Sequence, residues 1–222
     1  MIKKIGMTVV AAAAVAATVG VMPANAAPAK AVLGGGSGII INGDVACTLT
    51  TIGHDAQNNL VGITAGHCGD PGAKVVPEFD AAAGVVGTFV KSDPNLDYAV
   101  IQFDPNKVLP VDRIGGLTIS RIGAPANFPN IACKEGRTTG NTCGITWMTD
   151  LPDNATWTQI CVMEGDSGSP VVVGNTLVGM VNAYLELPCV GPEVGTTMQS
   201  IMADVNKNPA PGGVGRGFVP VP

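Results

Sequence analysis

Three short stretches carry side chains that could do chemistry together. They are Thr64-Ala65-Gly66-His67-Cys68, Asn95-Leu96-Asp97-Tyr98-Ala99-Val100 and Gly165-Asp166-Ser167-Gly168-Ser169-Pro170. A serine hydroxyl is a weak nucleophile near neutral pH and needs a base beside it. Histidine suits that role because its pKa lies near working pH. A carboxylate on the far ring nitrogen holds the right tautomer and stabilises the imidazolium that forms. The negative charge that develops on an attacked carbonyl needs donors. A glycine near the nucleophile lets the chain turn and present backbone N–H groups to it. Ser167, His67 and Asp97 are therefore candidates for nucleophile, base and orienting acid, and Gly165 and Ser167 for the two N–H donors.

Each stretch alone has an ordinary structural reading: a strand end, a turn aspartate, a tight glycine turn. Their order along the chain is the informative feature. His, then Asp, then Ser is the order of chymotrypsin-like enzymes, and it differs from that of α/β-hydrolases and of subtilisins. The nucleophile stretch also carries Ser169 where a hydrolase elbow has its second glycine.

The elements that must position these residues follow from composition. The chain has 222 residues, 46% of them hydrophobic, 13% charged and 4% aromatic, with 30 Gly and 17 Pro. Low charge and high hydropathy exclude a disordered chain. Abundant Gly and Pro disfavour long helices, and Val, Ile and Thr favour short strands joined by turns. Strand-like runs recur at 45–52, 59–64, 84–91, 96–103, 143–149, 155–163, 170–174, 176–183 and 195–199. Most are bounded by Gly, Pro, Asn or Asp, a spacing that predicts antiparallel barrels or sandwiches. A turn-rich stretch near 104–116 divides them into similar halves, and residues 199–206 predict a short terminal helix.

The N-terminus reads as an address. A basic Met1-Ile2-Lys3-Lys4, an apolar run from Ile5 to Met22 and the small-x-small ending Ala24-Asn25-Ala26 predict a secretory signal peptide over 1–26. The expected layout continues with a flexible leader at 27–38, a first barrel at 39–112, a second at 113–207 and an irregular Pro/Gly-rich tail at 208–222. The formal net charge is −5, and removing the signal takes away two lysines. Such an acidic chain is a poor nucleic-acid binder. All six cysteines survive signal cleavage, and export makes disulfides their expected state, although counting does not choose the pairing. With no C-x-x-C pair and only His54 and His67 as histidines, neither a metal site nor any cofactor is expected.

At these residues the sequence resembles the chymotrypsin-fold serine proteases, and within them the bacterial secreted streptogrisin and α-lytic branch. The likeness runs from about Ile41 to about Asn206. Thr64-Ala65-Gly66-His67-Cys68 is similar to the family's histidine motif, and Asp93-Pro94-Asn95-Leu96-Asp97-Tyr98 to the branch's approach to its aspartate. The stretch Cys133 to Gly144 is similar to the α-lytic disulfide loop, the run from Cys161 to Ser167 to its nucleophile segment, and Gly195-Thr196-Thr197 to a late strand motif.

The resemblance implies an all-β fold of two packed antiparallel six-stranded barrels with a short C-terminal helix. It implies the catalytic set His67, Asp97 and Ser167, with an oxyanion hole from the Gly165 and Ser167 amides. It implies the disulfides Cys47–Cys68, Cys133–Cys143 and Cys161–Cys189, and a structural ion pair between Lys134 and Asp166. The substrate pocket is expected at Gln159, Asn182, Ala183 and Tyr184. Gln159 in place of an acid argues against Arg or Lys specificity, Asn182 is expected to support Asp97, and Tyr184 is expected to narrow the pocket.

The function these residues imply is a secreted, metal-free serine endopeptidase acting on peptides or proteins. It is expected to be a monomer, off the membrane once the signal is cleaved. An inactive peptide-binding domain on the same fold and an esterase using the same residues are the alternatives.

Overall fold

The computed structural model describes residues 29–222, so the signal peptide expected over 1–26 lies outside the described residues. Among the described residues the fold is mostly β, with one α-helix near the C-terminus. Among the described residues no helix is long and apolar enough to cross a membrane.

The first half contains β1 (Ala31–Leu33), β2 (Gly38–Ile41), β3 (Val45–Thr48), β4 (Thr51–His54) and β5 (Leu60–Ala65), then β6 (Lys74–Pro77), β7 (Gly87–Asp93), β8 (Tyr98–Phe103) and β9 (Val108–Pro110). One sheet runs β4-β5-β8-β7-β6-β2-β3 and curls without closing by strand pairing. One of its faces buries Ile39, Ile41, Ile52, Val75, Phe89 and Ile101, and the other buries Ile63 and Val100. β5 is buried at every position because both of its faces are covered.

The second half contains β10 (Arg113–Ile114), β11 (Leu117–Thr118), β12 (Arg121–Ile122), β13 (Ile131–Gly136), β14 (Gly140–Asp150), β15 (Ala155–Thr158), β16 (Pro170–Val173), β17 (Thr176–Tyr184) and β18 (Glu193–Thr197). Here closure is complete. The order β17-β16-β13-β14-β15-β18 returns to β17 through a β17–β18 ladder, giving a six-stranded antiparallel barrel. Its small core holds Ala132, Ile160, Val162, Val171, Val178 and Val181.

Helix α1 (Met198–Lys207) follows β18 directly, and Thr197 caps it by accepting from the Ser200 N–H. Met198, Ile201 and Val205 repeat on one face and bury in the core of the first half. The helix is also tied to that half by Asp204, which accepts from the Lys91 ammonium and the Tyr98 hydroxyl, each at 2.6 Å.

The described part of the expected leader and the expected tail are more ordered than their composition suggests. Ala31–Leu33, in the expected flexible leader, pairs in parallel with β9, and Ala31 and Leu33 are buried. The expected irregular tail buries Ala210, Val214, Phe218 and Val221, and β19 (Val219–Pro220) adds a strand beside β4, opposite His54. Asp55 anchors the tail by accepting from the Gly215 N–H at 3.0 Å. Spaced apolar residues among the glycines supply the burial that makes this order worthwhile.

The cysteines form Cys47–Cys68, Cys133–Cys143 and Cys161–Cys189, with sequence separations of 21, 10 and 28. Loops of this size stabilise by about 3 kcal/mol each in the chain-entropy description.

Candidate active site

His67 sits in the single turn Gly66–Cys68 that ends β5. The turn passes so close to the start of β8 that a β-carbon on Gly66 would meet the Tyr98 nitrogen at 2.9 Å, so only glycine fits. Asp97 precedes β8 with φ of 47°, in the left-handed region that Asp tolerates better than most residues. Asp93 steadies this turn by accepting from the Asn95 and Leu96 N–H groups. The Asp97 carboxyl then meets His67 twice. Its Oδ1 accepts from the His67 backbone N–H at 2.8 Å, and its Oδ2 lies 2.8 Å from His67 Nδ1. A carboxylate at Nδ1 makes that nitrogen the protonated one, which leaves the Nε2 lone pair free.

Nε2 faces Ser167 Oγ at 2.8 Å. Ser167 comes from the other half, on the loop that leads into β16. That loop is held against the unclosed edge of the first sheet. Thr48 N–H donates to Ser167 O at 2.8 Å, Thr48 Oγ1 to Gly165 O at 3.0 Å, and Thr50 Oγ1 to Gly168 O at 2.6 Å. The contact is tight enough that a β-carbon on Gly168 would meet Thr48 O at 2.2 Å, and Gly168 also needs φ of 86°. The edge that the first half leaves unpaired thus becomes the seat of the serine loop. Neither Gly165 N–H nor Ser167 N–H has a partner among the described residues, and both residues line a cleft of about 480 Å³ that His67 also borders.

Electrostatics reinforce the arrangement. The hydrogen bond to Asp97 raises the His67 pKa, against a smaller opposing effect of burial. Burial pushes the Asp97 carboxyl up, but the His67 bonds and charge and the Asn182 amide together outweigh it and hold the pKa below the ordinary value. Asn182 Nδ2 donates to Asp97 Oδ2 and to Asp97 O, both at 2.8 Å.

Lys134 and Asp166 lie together beneath the serine loop, both fully buried, with Lys134 Nζ 3.7 Å from Asp166 Oδ2. The Thr139 hydroxyl joins them, accepting from Lys134 and donating to Asp166 Oδ2 at 2.6 Å. Asp166 also accepts from the N–H groups of Thr138, Thr139 and Met163. Burial lowers the Lys134 pKa, and the Asp166 charge works in the opposite direction.

A second cleft of about 410 Å³ opens on the other side of Ser167, between Val162–Glu164 and Asn182–Tyr184. Asn182, Ala183 and Tyr184 all border it, with Tyr184 half-buried in the wall. Gln159 does not. Its amide accepts from Trp147 Nε1 at 3.0 Å and donates to Val190 O at 2.9 Å, away from Ser167. The expected pocket position of Gln159 is therefore corrected: β15 ends before it, and its side chain turns to the 185–191 loop.

Thr48, Thr50 and Thr139 are site residues that the sequence did not single out. Their roles depend on contacts across 117, 118 and 27 positions of chain, and no local pattern marks them.

No family model matches the chain. Solved structures do. Thermobifida fusca Protease A is 21% identical with a TM-score of 0.63, over 78% of this chain and 95% of that one. An α-lytic protease homologue designated N4 is 25% identical at TM-score 0.63, over 78% and 96%. A glutamic-acid-specific serine protease described as using a histidine triad in substrate binding is 19% identical at TM-score 0.67, over 86% and 100%. The chain has the chymotrypsin fold, and bacterial serine proteases of the streptogrisin and α-lytic type are its structural neighbours.

Proposed function

We propose that this chain is a serine endopeptidase that cleaves peptides or proteins through an acyl-enzyme on Ser167. One observation carries the reading. An unbroken run of 2.8 Å contacts joins Asp97, His67 and Ser167 across the two halves of the fold.

The chemistry follows from that run. The Ser167 hydroxyl attacks the scissile carbonyl while His67 Nε2 takes its proton. Asp97 steadies the imidazolium. The free N–H groups of Gly165 and Ser167 receive the oxyanion, a contribution worth about 10²–10³ in rate per donor elsewhere. His67 then returns the proton to the leaving amine, and water repeats the sequence to release the acid. The buried Lys134–Asp166 pair holds the donor loop in shape. Three disulfides and the N-terminal signal pattern support work outside the cytoplasm. The substrate is a peptide held in the two clefts flanking Ser167, and the chain acts as a monomer with no metal or cofactor.

A fluorophosphonate probe tests this directly. The expected result is an adduct on Ser167, found by mass spectrometry and abolished by His67→Ala. Folded protein that takes no label would favour a binding role instead, a reading supported by Tyr184 in the cleft wall. Cleavage of esters but not peptides would favour an esterase.

A further inference from the structure

The Glu164–Gly165 peptide carries one of the two proposed oxyanion donors, and its own residues do not fix its direction. Glu164 is exposed, and Gly165 has φ of 92°, a region that glycine enters as readily as the opposite sign of φ. A peptide unit is planar and trans, so its C=O and N–H point in opposite directions. Turning this one over would put the Glu164 carbonyl where an oxyanion needs the Gly165 N–H. Whatever holds Glu164 O therefore aims the donor.

The holder is the turn 137–139 between β13 and β14. The Thr138 hydroxyl donates to Glu164 O at 2.8 Å. Arg137 Nη1 donates to the same hydroxyl oxygen at 3.2 Å, which leaves the hydroxyl proton for Glu164 O. The guanidinium is fixed in turn by Glu78, just after β6 in the first half. Arg137 Nε donates to Glu78 Oε2 at 2.7 Å, and Nη2 donates to Oε1. A forked pair of this kind sets direction as well as distance. The fit against the donor loop is close: a β-carbon on Gly165 would meet Thr138 Oγ1 at 2.5 Å and Arg137 Nη1 at 2.6 Å.

The peptide on the other side of Gly165 depends on the same turn. The Arg137 N–H donates to Thr48 Oγ1 at 3.2 Å, and that hydroxyl donates to Gly165 O at 3.0 Å. Asp166 accepts from the Thr138 N–H at 3.0 Å and so fixes the backbone from which the Thr138 hydroxyl reaches out.

We propose that Thr138 and Arg137 are positioning residues for the oxyanion hole. A relay from Glu78 through Arg137 and Thr138 to Glu164 O keeps the Gly165 N–H aimed at the reacting carbonyl. This rests on the endopeptidase reading above. The relay ends on the carbonyl of the donor peptide and not on the substrate, so its loss slows the step that forms the oxyanion and leaves binding in place.

The test measures labelling of Ser167 by a fluorophosphonate probe, whose phosphoryl oxygen needs the same donors, with kinact and KI determined separately. Loss of one whole donor costs about 10²–10³ in rate. Thr138→Val keeps the donor but frees its direction, so kinact is expected to fall about 10-fold with KI unchanged. Thr138→Ser keeps the hydroxyl and is expected to restore kinact. A role in packing alone predicts the reverse order, because Val keeps the methyl that Ser loses. Arg137→Gln removes the relay one step back and is expected to lower kinact in the same way, which decides the matter if Thr138→Val fails to fold. An unchanged kinact in either variant, a loss carried by KI, or a fall shared by Thr138→Ser overturns this proposal alone when the wild type labels. A wild type that takes no label overturns the endopeptidase reading and this proposal with it.

Discussion

Thr48 and Ser167 meet across the two halves of the fold, the Thr48 N–H donating to the Ser167 carbonyl at 2.8 Å. The Thr48 hydroxyl extends the contact by donating to Gly165 O and accepting from the Arg137 N–H. A single residue on the open edge of the first sheet thus sets the height of the serine loop above His67. Thr48→Val keeps the shape and the backbone bond but leaves Gly165 O and the Arg137 N–H without this partner. The expected cost is about 1–3 kcal/mol in stability. Steady-state kinetics are expected to show kcat falling more than KM rises.

The pH dependence of activity follows from the His67–Asp97 pair. In the proposed reaction His67 must be neutral to accept the serine proton. The Asp97 hydrogen bond raises its pKa, so the acid limb of the kcat/KM profile should lie above the ordinary histidine value of about 6.5. Activity rises as pH climbs through that limb. Removing the Asn182 amide from Asp97 leaves a carboxylate with fewer donors, which holds the proton on His67 more strongly. Asn182→Ala should therefore move the limb to higher pH, and a profile that stays in place would refute the link.

Lys134 and Asp166 offer a stability test with a functional readout. Both are fully buried, so Lys134→Met strands an acid that relies on this cation. Breaking one side of such a pair costs about 3–5 kcal/mol. Denaturant melts should show the loss. Fluorophosphonate labelling of Ser167 should slow in protein that remains folded, because Asp166 shapes the loop carrying Gly165.

Asp204 sets an acid limit on the fold. Burial raises its pKa, but hydrogen bonds from Lys91, Tyr98 and Asn208 outweigh this and bring it to about 2. A depressed acid contributes stability above its unfolded pKa near 4, and this is lost as pH falls through the folded value. The window is therefore from about pH 4 down to about pH 2. Solvent screens this partly exposed carboxylate, so Asp204→Asn should lower stability at pH 7 by about 1 kcal/mol and flatten the pH dependence of the melting temperature across that window.

The strands that read clearly from sequence were those with one buried face or two and no charge inside. The run at 96–103 became β8, that at 176–183 became β17, and the helix expected at 199–206 became α1 over 198–207. β13 was not legible because Lys134 occupies an inward position, and buried lysine breaks the usual alternation. The order in the leader and tail was hidden for a different reason. Glycine-rich segments look flexible until distant strands supply the pairing that β1 and β19 receive.

Residue types and their order pointed to the proposed chemistry: a histidine, an acid and a glycine-flanked serine are few enough that their order along the chain narrows the choice of mechanism. Tertiary structure alone decided how they meet. His67 and Ser167 lie 100 positions apart, and their 2.8 Å contact exists because the Ser167 loop fills the open edge beside Thr48. It also turned Gln159 away from the cleft, to Val190 O across 31 positions of chain, a contact that no local pattern marks.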